Sequence, residues 1–182
     1  MTDQPESLYA ATKKANELMA YSYSRIYGIK SIGLRFFTVY GPWGRPDMAY
    51  FSFANRIMKG ETIQVYNHGN MERDFTYVDD IVAGISQLIE RFDAIDASYK
   101  VYNLGNNRPV RLLDFIQTLE TYLGREAHKE MLPMQPGDVL QTYADISDSQ
   151  RDFNYQPHTN IDKGLESFVD WFKTYYPMNA EH

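Results

Sequence analysis

The stretch Ser31-Ile-Gly-Leu-Arg-Phe-Phe-Thr-Val39 is dense in apolar and aromatic side chains, which predicts a buried strand of a parallel sheet. A helix is predicted just before it, over residues 8–27, with Ser7 able to cap its first turn and Gly28 placed to end it. A helix that leads directly into a buried strand is typical of proteins in which helices cover a parallel sheet. The stretch therefore favours an α/β fold.

Helical and strand patterns continue to alternate along the rest of the chain. Predicted helices cover residues 50–58, 78–92, 112–123, 147–153 and 162–176. Predicted strands cover residues 62–66, 99–104 and 129–132, with turns at 42–46 and 67–70. Alternation of this kind indicates an α/β protein.

The composition is that of a globular protein of about one domain. The 182 residues are 43% hydrophobic and 15% aromatic, which supports a packed core. A net charge of −6 leaves no basic footprint for nucleic acid, and no apolar run approaches the ~18 residues that cross a membrane. The sequence has no cysteine and a polar start, so we expect a cytoplasmic protein without disulfides or a signal peptide.

The sequence predicts no metal site. Its four histidines are scattered and lack the spacing of metal ligands: His68, His128, His158 and His182. Asp79 and Asp80 come at the start of the predicted helix over residues 78–92, where the helix dipole favours acidic side chains. We therefore interpret the two aspartates as helix-start residues and not as ligands.

Tyr9 and Lys13 form the pair with the clearest chemical meaning. They lie one helical turn apart, so their side chains are neighbours on one face of the predicted helix. A cation beside a phenol stabilises the phenolate, which is how a tyrosine becomes a general acid or base near neutral pH. A Tyr-x-x-x-Lys pair by itself is more often surface decoration, so its interpretation depends on the motifs that follow.

Four further motifs follow in series. They are Leu34-Arg-Phe-Phe-Thr-Val-Tyr-Gly-Pro42, Gly69-Asn-Met-Glu-Arg-Asp-Phe-Thr-Tyr-Val-Asp-Asp80, Tyr102-Asn-Leu-Gly105 and Pro136-Gly-Asp-Val139. In this order and at these distances, the motifs resemble the carboxyl-terminal half of an extended short-chain dehydrogenase/reductase that acts on nucleotide sugars. The resemblance covers nearly the whole chain and is nearest to the UDP-glucuronate 4-epimerases, through residues 40–49 and 131–139.

The resemblance implies an incomplete Rossmann-type fold. Family members open with a strand, a Gly-x-x-Gly-x-x-Gly turn and a helix that binds the NAD pyrophosphate, and this sequence contains no such turn. The family's catalytic Ser/Thr upstream of the tyrosine is also missing, so we expect the back half of an enzyme. Residues 1–45 are the expected remnant of the NAD-binding domain. Residues 46–182 are mainly the expected substrate-binding domain, with the chain crossing back to the Rossmann part around residues 73–105.

The resemblance also assigns the cofactor end of the site. It implies that Tyr9 removes the proton of the sugar 4-hydroxyl, while Lys13 binds the nicotinamide ribose and favours the phenolate. NAD is the implied cofactor. Phe36 is a further implied cofactor-binding residue, although packing is expected to be its larger role. It lies near the carboxyl end of the predicted strand, where open α/β sheets bind ligands.

Thr38 and Arg45 are the residues that the resemblance places at the sugar. Many relatives have Asn where this chain has Thr38. A hydroxyl is shorter and can donate to the carboxylate of a uronic acid, so Thr38 favours a uronic acid over a neutral hexose. Arg45 lies in a Trp-Gly-Arg-Pro loop that lines the sugar pocket in the family. The alternative is that Arg45 is simply a solvated arginine.

Arg73 is the implied contact to the nucleotide diphosphate. It belongs to an Arg-Asp-Phe motif that sends its arginine to the diphosphate in relatives, and the planar guanidinium suits phosphate oxygens. The alternative is that Arg73 forms a salt bridge with Glu72 or Asp74, its two sequence neighbours.

The remaining nucleotide contacts also come from the resemblance. Asp138 matches a family residue that contacts the nucleotide ribose. A carboxylate there can accept hydrogen bonds from the ribose hydroxyls. Val65 and Tyr66 occupy the strand that borders the uracil in relatives. Many relatives have arginine three residues before the aspartate, where this chain has Gln135, which puts one phosphate or ribose contact in question.

The expected function is therefore that of a nucleotide-sugar epimerase fragment. The intact enzyme would interconvert UDP-glucuronate and UDP-galacturonate through a 4-keto intermediate with bound NAD, in polysaccharide biosynthesis, and this chain alone is expected to be inactive. The alternatives are a UDP-glucuronate decarboxylase, a neutral-hexose 4-epimerase, or a non-catalytic nucleotide-sugar-binding or assembly module. The expected partners are a UDP-sugar and either a homodimer or higher oligomer or a missing amino-terminal half, with no nucleic acid and no membrane.

Overall fold

The computed structural model describes residues 4–5, 7–135 and 137–177. The helices are α1 (Leu8–Tyr27), α2 (Ala49–Lys59), α3 (Val78–Arg91), α4 (Leu112–Leu123), α5 (Ser147–Phe153) and α6 (Ile161–Tyr175). The strands are β1 (Ser31–Phe36), β2 (Thr38–Tyr40), β3 (Ile63–Val65), β4 (Glu72–Arg73), β5 (Phe75–Tyr77), β6 (Tyr99–Leu104), β7 (Val110–Arg111) and β8 (Lys129–Met131). Pro136 of the Pro-Gly-Asp-Val motif lies outside the described residues, as do residues 1–3 and 6 of the polar start.

Helix α1 begins and ends where the sequence predicts. The Ser7 hydroxyl oxygen accepts from the backbone N–H of Ala10 at 3.1 Å, and Gly28 ends the helix with a φ of 65°, a left-handed conformation that favours glycine. Buried Ser24 ties the helix to the start of β6, since its hydroxyl donates to the carbonyl of Ser98 at 2.8 Å. None of the helices formed by the described residues is both long and apolar enough to cross a membrane.

Parallel pairing dominates the strands. β1 pairs with β6 from Ser31 opposite Tyr99 to Phe36 opposite Leu104, and β2 with β5 and β3 with β8 are also parallel. The short pair β4 and β7 is antiparallel. Parallel strands connected through helices confirm the predicted α/β class.

The predicted buried strand is in fact two strands, so that prediction is wrong. Beyond Phe36, the backbone N–H of Phe37 donates to the carbonyl of Leu104 at 3.1 Å, and that of Thr38 donates to the carbonyl of Asp74 at 3.2 Å. The chain therefore changes its partner from β6 to β5 at this point. β1 is only half-buried, and Phe36 is 50% exposed; within the described residues, β6 is the one strand that pairs with β1.

Two apolar cores hold the fold together. The first lies between α2, α4, α6 and the strands β2, β3 and β5, and its fully buried members include Ala54, Ile63, Leu119 and Phe168. The second is built around β6, with α3 and α5, and it includes Leu104, Ile146 and Phe153. Ile32 and Leu34 of β1 pack against the second core. The apolar side chains of α1, all of them described, belong to neither core.

The sequence patterns missed β4 and β7 and the conformation of the turn before them. Asn67 and His68 have φ angles of 49° and 50°, within the short 3-10 segment Tyr66–Gly69. Asparagine tolerates this left-handed region more readily than histidine. Strands of two residues are too short to carry a periodic pattern. They nevertheless matter, because β4 carries Arg73.

Candidate active site

A cavity of about 550 Å³ lies between α1 and β1. Tyr9 and Lys13 line it from the helix, and Phe36 lines it from the end of the strand. The Lys13 ammonium nitrogen lies 5.4 Å from the centre of the Tyr9 ring, and the tyrosine is 71% exposed. The three residues that sequence reasoning assigned to the cofactor therefore meet in one open cavity.

An ion pair between Glu17 and Arg35 fixes this wall of the cavity. The Arg35 guanidinium donates from Nε and Nη2 to the two carboxylate oxygens of Glu17 at 2.6 and 2.7 Å, and the Tyr99 hydroxyl donates to the Glu17 carbonyl at 2.9 Å. The hydrogen bond from Arg35 lowers the pKa of the Glu17 carboxyl below its usual value. Sequence reasoning missed the pair, although a charged residue in an apolar strand signals a partner.

Arg73 and Asp138 are brought together from distant parts of the chain. The Arg73 Nη2 lies 3.7 Å from Asp138 Oδ1, and Nη1 donates to the carbonyls of Glu72 at 3.0 Å and Leu140 at 3.4 Å. The Arg73 side chain is 17% exposed, and this burial lowers the pKa of its guanidinium while Asp138 acts in the opposite direction. The pair thus offers a largely desolvated cation beside a carboxylate, a combination suited to an anionic ligand with hydroxyl groups.

The two alternative partners of Arg73 have other roles. The Glu72 carboxylate accepts from the side-chain amide of Gln141 at 2.6 Å, and the Asp74 carboxylate accepts from backbone N–H groups. The carboxylate within ion-pair distance of Arg73 is that of Asp138. The alternative interpretation of Arg73 as the salt-bridge partner of Glu72 or Asp74 is therefore wrong, although its guanidinium does bond the Glu72 backbone carbonyl.

Thr38 is the first residue of β2. Phe37 alone separates it from the end of β1, and its Cα is opposite that of Phe75 in the parallel pair β2–β5. Its backbone N–H donates to the carbonyl of Asp74, the residue after Arg73. A residue that follows the carboxyl end of a parallel strand is in the usual position for ligand contact in α/β proteins.

The other three predicted sugar or base contacts, Arg45, Tyr66 and Val65, have surroundings of their own. Arg45 is mostly solvated, with its guanidinium 3.3 Å from the Asp47 carboxylate, and the Tyr66 hydroxyl donates to Gln64 at 3.1 Å. Val65 is fully buried in the first core. Across residues 7–135 and 137–177, no hydrogen bond or ion pair links these three residues to Arg73 or Asp138.

The loop that carries Arg45 is anchored by aromatic contacts. Trp43 has a φ of 62°, and its ring centre lies 4.9 Å from that of Tyr175 and 5.4 Å from that of Trp171 on α6. A Cβ atom on Gly44 would lie 1.6 Å from the Tyr50 hydroxyl oxygen, so only glycine fits there. Arg45 is thus exposed on a backbone that is itself held in place.

Asp74 is the buried residue that sequence reasoning underestimated. Its side chain is fully buried, and the carboxylate accepts from the backbone N–H groups of Asn106 at 2.7 Å, Asn107 at 2.9 Å and Ala144 at 3.1 Å. The Thr76 hydroxyl donates to it at 3.1 Å. Three of these partners are backbone groups far along the chain, so no local sequence signal could reveal them.

Asp80 is also more than a helix-start residue. It lies in the first turn of α3, as expected, but its side chain is buried. Its carboxylate accepts from the backbone N–H of Thr159 at 3.0 Å and lies 3.2 Å from the His158 ring nitrogen. Asp80 therefore holds the segment that leads into α6. Among the described residues, no group of three or more metal-ligating side chains is arranged to hold an ion.

Comparison with known proteins places this geometry in a family. Residues 1–105 match the family described as NAD dependent epimerase/dehydratase. The chain is 54% identical to Protein CapI of Staphylococcus aureus, over 96% of this chain and 56% of that protein. It is 48% identical to UDP-glucuronate 4-epimerase 2 of Arabidopsis thaliana, over 99% of this chain and 44% of that protein.

The fold is likewise similar to solved structures. A UDP-glucuronic acid 4-epimerase from Bacillus cereus, in complex with UDP-glucuronic acid and NAD, superposes with a TM-score of 0.86 at 34% identity, over 95% of this chain and 55% of that one. The chain therefore spans about half the length of the curated relatives and solved structures that it matches. With a Rossmann-type fold of this kind and a family match over more than half of its residues, the chain belongs to the NAD dependent epimerase/dehydratase family.

Proposed function

We propose that this chain supplies the Tyr–Lys pair and the nucleotide-sugar site of an NAD-dependent 4-epimerase that interconverts UDP-glucuronate and UDP-galacturonate. The observation that carries the proposal is the cavity where Tyr9, Lys13 and Phe36 meet, with Thr38 two residues beyond Phe36 along the chain. The similarity to named UDP-glucuronate 4-epimerases supports the choice of substrate.

The cavity suits the reactive end of the cofactor. Lys13 can donate to ribose hydroxyls, and the half-exposed ring of Phe36 offers an apolar surface beside it. The sequence has no Gly-x-x-Gly-x-x-Gly turn for the pyrophosphate. These residues therefore fit the nicotinamide ribose, and the rest of the cofactor requires groups beyond them. NAD, when bound, supplies reversible hydride chemistry at C4 of the sugar.

Tyr9 is the proposed general base and acid. Its phenolate accepts the proton of the sugar 4-hydroxyl as C4 is oxidised, and it returns the proton when the 4-keto sugar is reduced on its other face. The Lys13 ammonium nitrogen lies 5.4 Å from the centre of the Tyr9 ring, so both side chains would face the same end of the bound sugar and cofactor. Between the two steps the sugar has to turn over in its pocket, which requires a firmly held nucleotide and a loosely held sugar.

Arg73 and Asp138 are proposed to hold the nucleotide. The Arg73 guanidinium would bind the diphosphate, and the Asp138 carboxylate would accept hydrogen bonds from the ribose hydroxyls. Their separation of 3.7 Å keeps both groups within reach of adjoining parts of one nucleotide. Val65 and Tyr66 are proposed to border the uracil. Because the Val65 side chain is buried, its contribution would be to position the strand.

Thr38 and Arg45 are proposed to act on the sugar. The Thr38 hydroxyl would donate to the uronate carboxylate, and Arg45 would order or close the loop over it. In this scheme residues 1–45 belong to the cofactor domain and residues 46–182 mainly to the substrate domain. The second apolar core supports the proposed return of the chain around residues 73–105, since β6 pairs with β1 there.

A second candidate is a non-catalytic nucleotide-sugar-binding or assembly module. Its support is the exposure of apolar side chains along α1, which favours association with a second copy or with a complementing amino-terminal half. In both candidates we propose that the chain has little turnover by itself. The candidates differ in whether a complementing half together with NAD restores activity.

Calorimetric titration of UDP-glucuronate, UDP-glucose and UDP into the chain tests the proposal. We expect UDP-glucuronate to bind about tenfold more tightly than UDP-glucose, and Thr38→Val to remove most of that preference without changing the affinity for UDP. Arg73→Met should weaken all three ligands about tenfold or more, whereas the matched control Arg56→Met, at an exposed arginine on α2, should not.

Other outcomes would point to the alternatives. Absence of binding by the folded chain would contradict the proposed nucleotide site and leave the assembly module. A preference for UDP-glucose would favour a neutral-hexose epimerase. Release of carbon dioxide from UDP-glucuronate, in the presence of NAD and a complementing half, would indicate a decarboxylase.

A further inference from the structure

The hydrogen bonds of Asp74 account for both oxygens of its buried carboxylate. Oδ1 accepts from the Asn106 N–H and the Thr76 hydroxyl, and Oδ2 accepts from the N–H groups of Asn107 and Ala144. All four partners are donors, which matches an acceptor-only carboxylate. An asparagine side chain would turn its NH₂ group toward one pair of these donors, so an amide cannot reproduce the arrangement.

Asp74 is also the last rung of a ladder between two distant segments. The Glu72 N–H donates to the Leu140 carbonyl at 2.9 Å, and the Thr142 N–H donates to the Glu72 carbonyl at 3.1 Å. The next two hydrogen bonds between the segments each involve one side chain. The Asp74 N–H donates to the Thr142 hydroxyl at 2.9 Å, and the Ala144 N–H donates to the Asp74 carboxylate at 3.1 Å.

This ladder determines where Arg73 lies relative to Asp138. Arg73 lies between the two rungs on one side, and Asp138 lies two residues before Leu140 on the other. The two side chains are far apart in sequence, and their contact of 3.7 Å depends on the register of the two segments. If residues 140–144 moved away from β4, the pair would separate.

We infer that Asp74 is a positioning residue, whose carboxylate holds residues 140–144 against β4 and thereby sets Arg73 and Asp138 in the arrangement that binds a nucleoside diphosphate. The nucleotide part of this inference rests on the proposed function. Asp74 acts through Arg73 and Asp138 and does not itself contact the ligand.

Asp80 provides a matched control for the effect of burial. It is also a buried carboxylate that accepts a backbone N–H, so Asp80→Asn makes the same chemical change as Asp74→Asn. Its partners, His158 and Thr159, lie outside the ladder. A general loss of stability would change amide exchange in both variants. If Asp74 has a positioning role, only Asp74→Asn will loosen residues 140–144.

Amide hydrogen exchange tests the positioning role without any ligand. In Asp74→Asn we expect the amides of residues 140–144 and 106–107 to exchange about tenfold faster or more, with exchange in α2 and α4 unchanged. In Asp80→Asn the amides of residues 140–144 should keep their wild-type rate. Wild-type protection of residues 140–144 in Asp74→Asn, or equal loss in both variants, would overturn the inference.

UDP titration in a double-mutant cycle then tests the link to Arg73. We expect Asp74→Asn to raise the Kd for UDP about tenfold in the wild-type background, but less than about threefold in an Arg73→Lys background, where the guanidinium fork is already lost. Equal losses in both backgrounds would overturn the link, because they would reflect a general effect.

The two measurements separate this inference from the proposed function. Failure of the folded wild-type chain to bind UDP would overturn the nucleotide site, and with it the nucleotide part of the inference. The exchange rates would still decide whether Asp74 holds the two segments together.

Discussion

The two ends of the candidate site are held in place in different ways. At the proposed nucleotide end, Arg73 and Asp138 lie on segments joined by a hydrogen-bonded ladder around the buried carboxylate of Asp74. At the proposed cofactor end, Tyr9 and Lys13 lie on α1, whose attachments include buried Ser24, the Glu17–Arg35 pair and the hydrogen bond from Tyr99 to Glu17. At the nucleotide end, the polar groups thus find their hydrogen-bond partners within the chain. The cofactor end is an open cavity, and within the described residues no strand pairs with the second edge of β1 beside it.

The two ends also differ in how much apolar surface they expose, because the cofactor end carries the exposed face of α1. Several large apolar side chains of α1 are between 55% and 82% exposed, among them Leu8, Leu18, Met19, Tyr23, Ile26 and Tyr27. Contiguous apolar surface of this kind usually marks an interaction site. We therefore expect the nucleotide end to be rigid within this chain, and the cofactor end to depend on contacts made to α1 and β1 from outside the described residues.

The largest expected effect compares one glycine at each end. A Cβ on Gly105 would lie 2.3 Å from the Ala144 Cβ, whereas a Cβ on Gly33 would meet the flexible Val101 side chain at 3.3 Å. We expect Gly105→Ala to lower the free energy of unfolding by about 2–3 kcal/mol and Gly33→Ala to change it by less than about 1 kcal/mol. Urea unfolding measures both. Equal effects would contradict the contrast between a tightly packed end and an open one.

A smaller effect is expected for association through α1. If its exposed face is a contact surface, replacing both Met19 and Ile26 with lysine should weaken self-association about tenfold or more, as measured by sedimentation at several concentrations. The unfolding free energy should barely change, since both side chains are mostly exposed. Replacing Val82 and Ile89, exposed apolar residues of α3, is the matched control. A chain that stays monomeric at all concentrations would contradict self-association.

The smallest expected effect concerns the ion pair that attaches α1. The pKa of Glu17 is lowered in the folded chain by the hydrogen bond from Arg35, so the pair stabilises the fold above about pH 4.5, and this contribution is lost as pH falls through the lowered pKa. Because the pair is partly exposed, Glu17→Gln should cost less than about 1 kcal/mol at pH 7. Urea unfolding at pH 7 and pH 3 should give a smaller difference from wild type at the lower pH.

Glu90→Gln, at an exposed position on α3, is the control for that measurement. It should leave the unfolding free energy unchanged at both pH values. A Glu17→Gln variant with the same cost at pH 3 as at pH 7 would indicate that the loss comes from packing and not from charge.

Much of the fold could be predicted from the sequence, because its signals are local. Ser7 and Gly28 define the ends of α1, and Gly60 and Gly124 end α2 and α4 with positive φ angles, so the helix bounds fall within one residue of the predictions. The pairing of Tyr9 with Lys13 is likewise a property of a single helix. Such features depend on residues a few positions apart.

The features that could not be predicted depend on residues far apart. The break after Phe36 is set by the change of partner from β6 to β5, and no property of the strand itself reveals it. The role of Asp74 requires Ala144, and that of Arg35 requires Glu17 on another element. In each case the local pattern was ambiguous, and tertiary contacts decided between the alternatives.

The ladder around Asp74 also has a consequence for how the chain folds during synthesis. Asp74 and Ala144 are 70 residues apart, and the pairs Ser31–Tyr99 and Ile63–Lys129 are comparably distant. Contacts of such long range form slowly, because the intervening chain must be closed into a loop first. On the ribosome, Asp74 therefore emerges well before Ala144, whose backbone N–H is the last of the four donors to its carboxylate. The ladder around Asp74 therefore cannot be completed until residue 144 has left the ribosome.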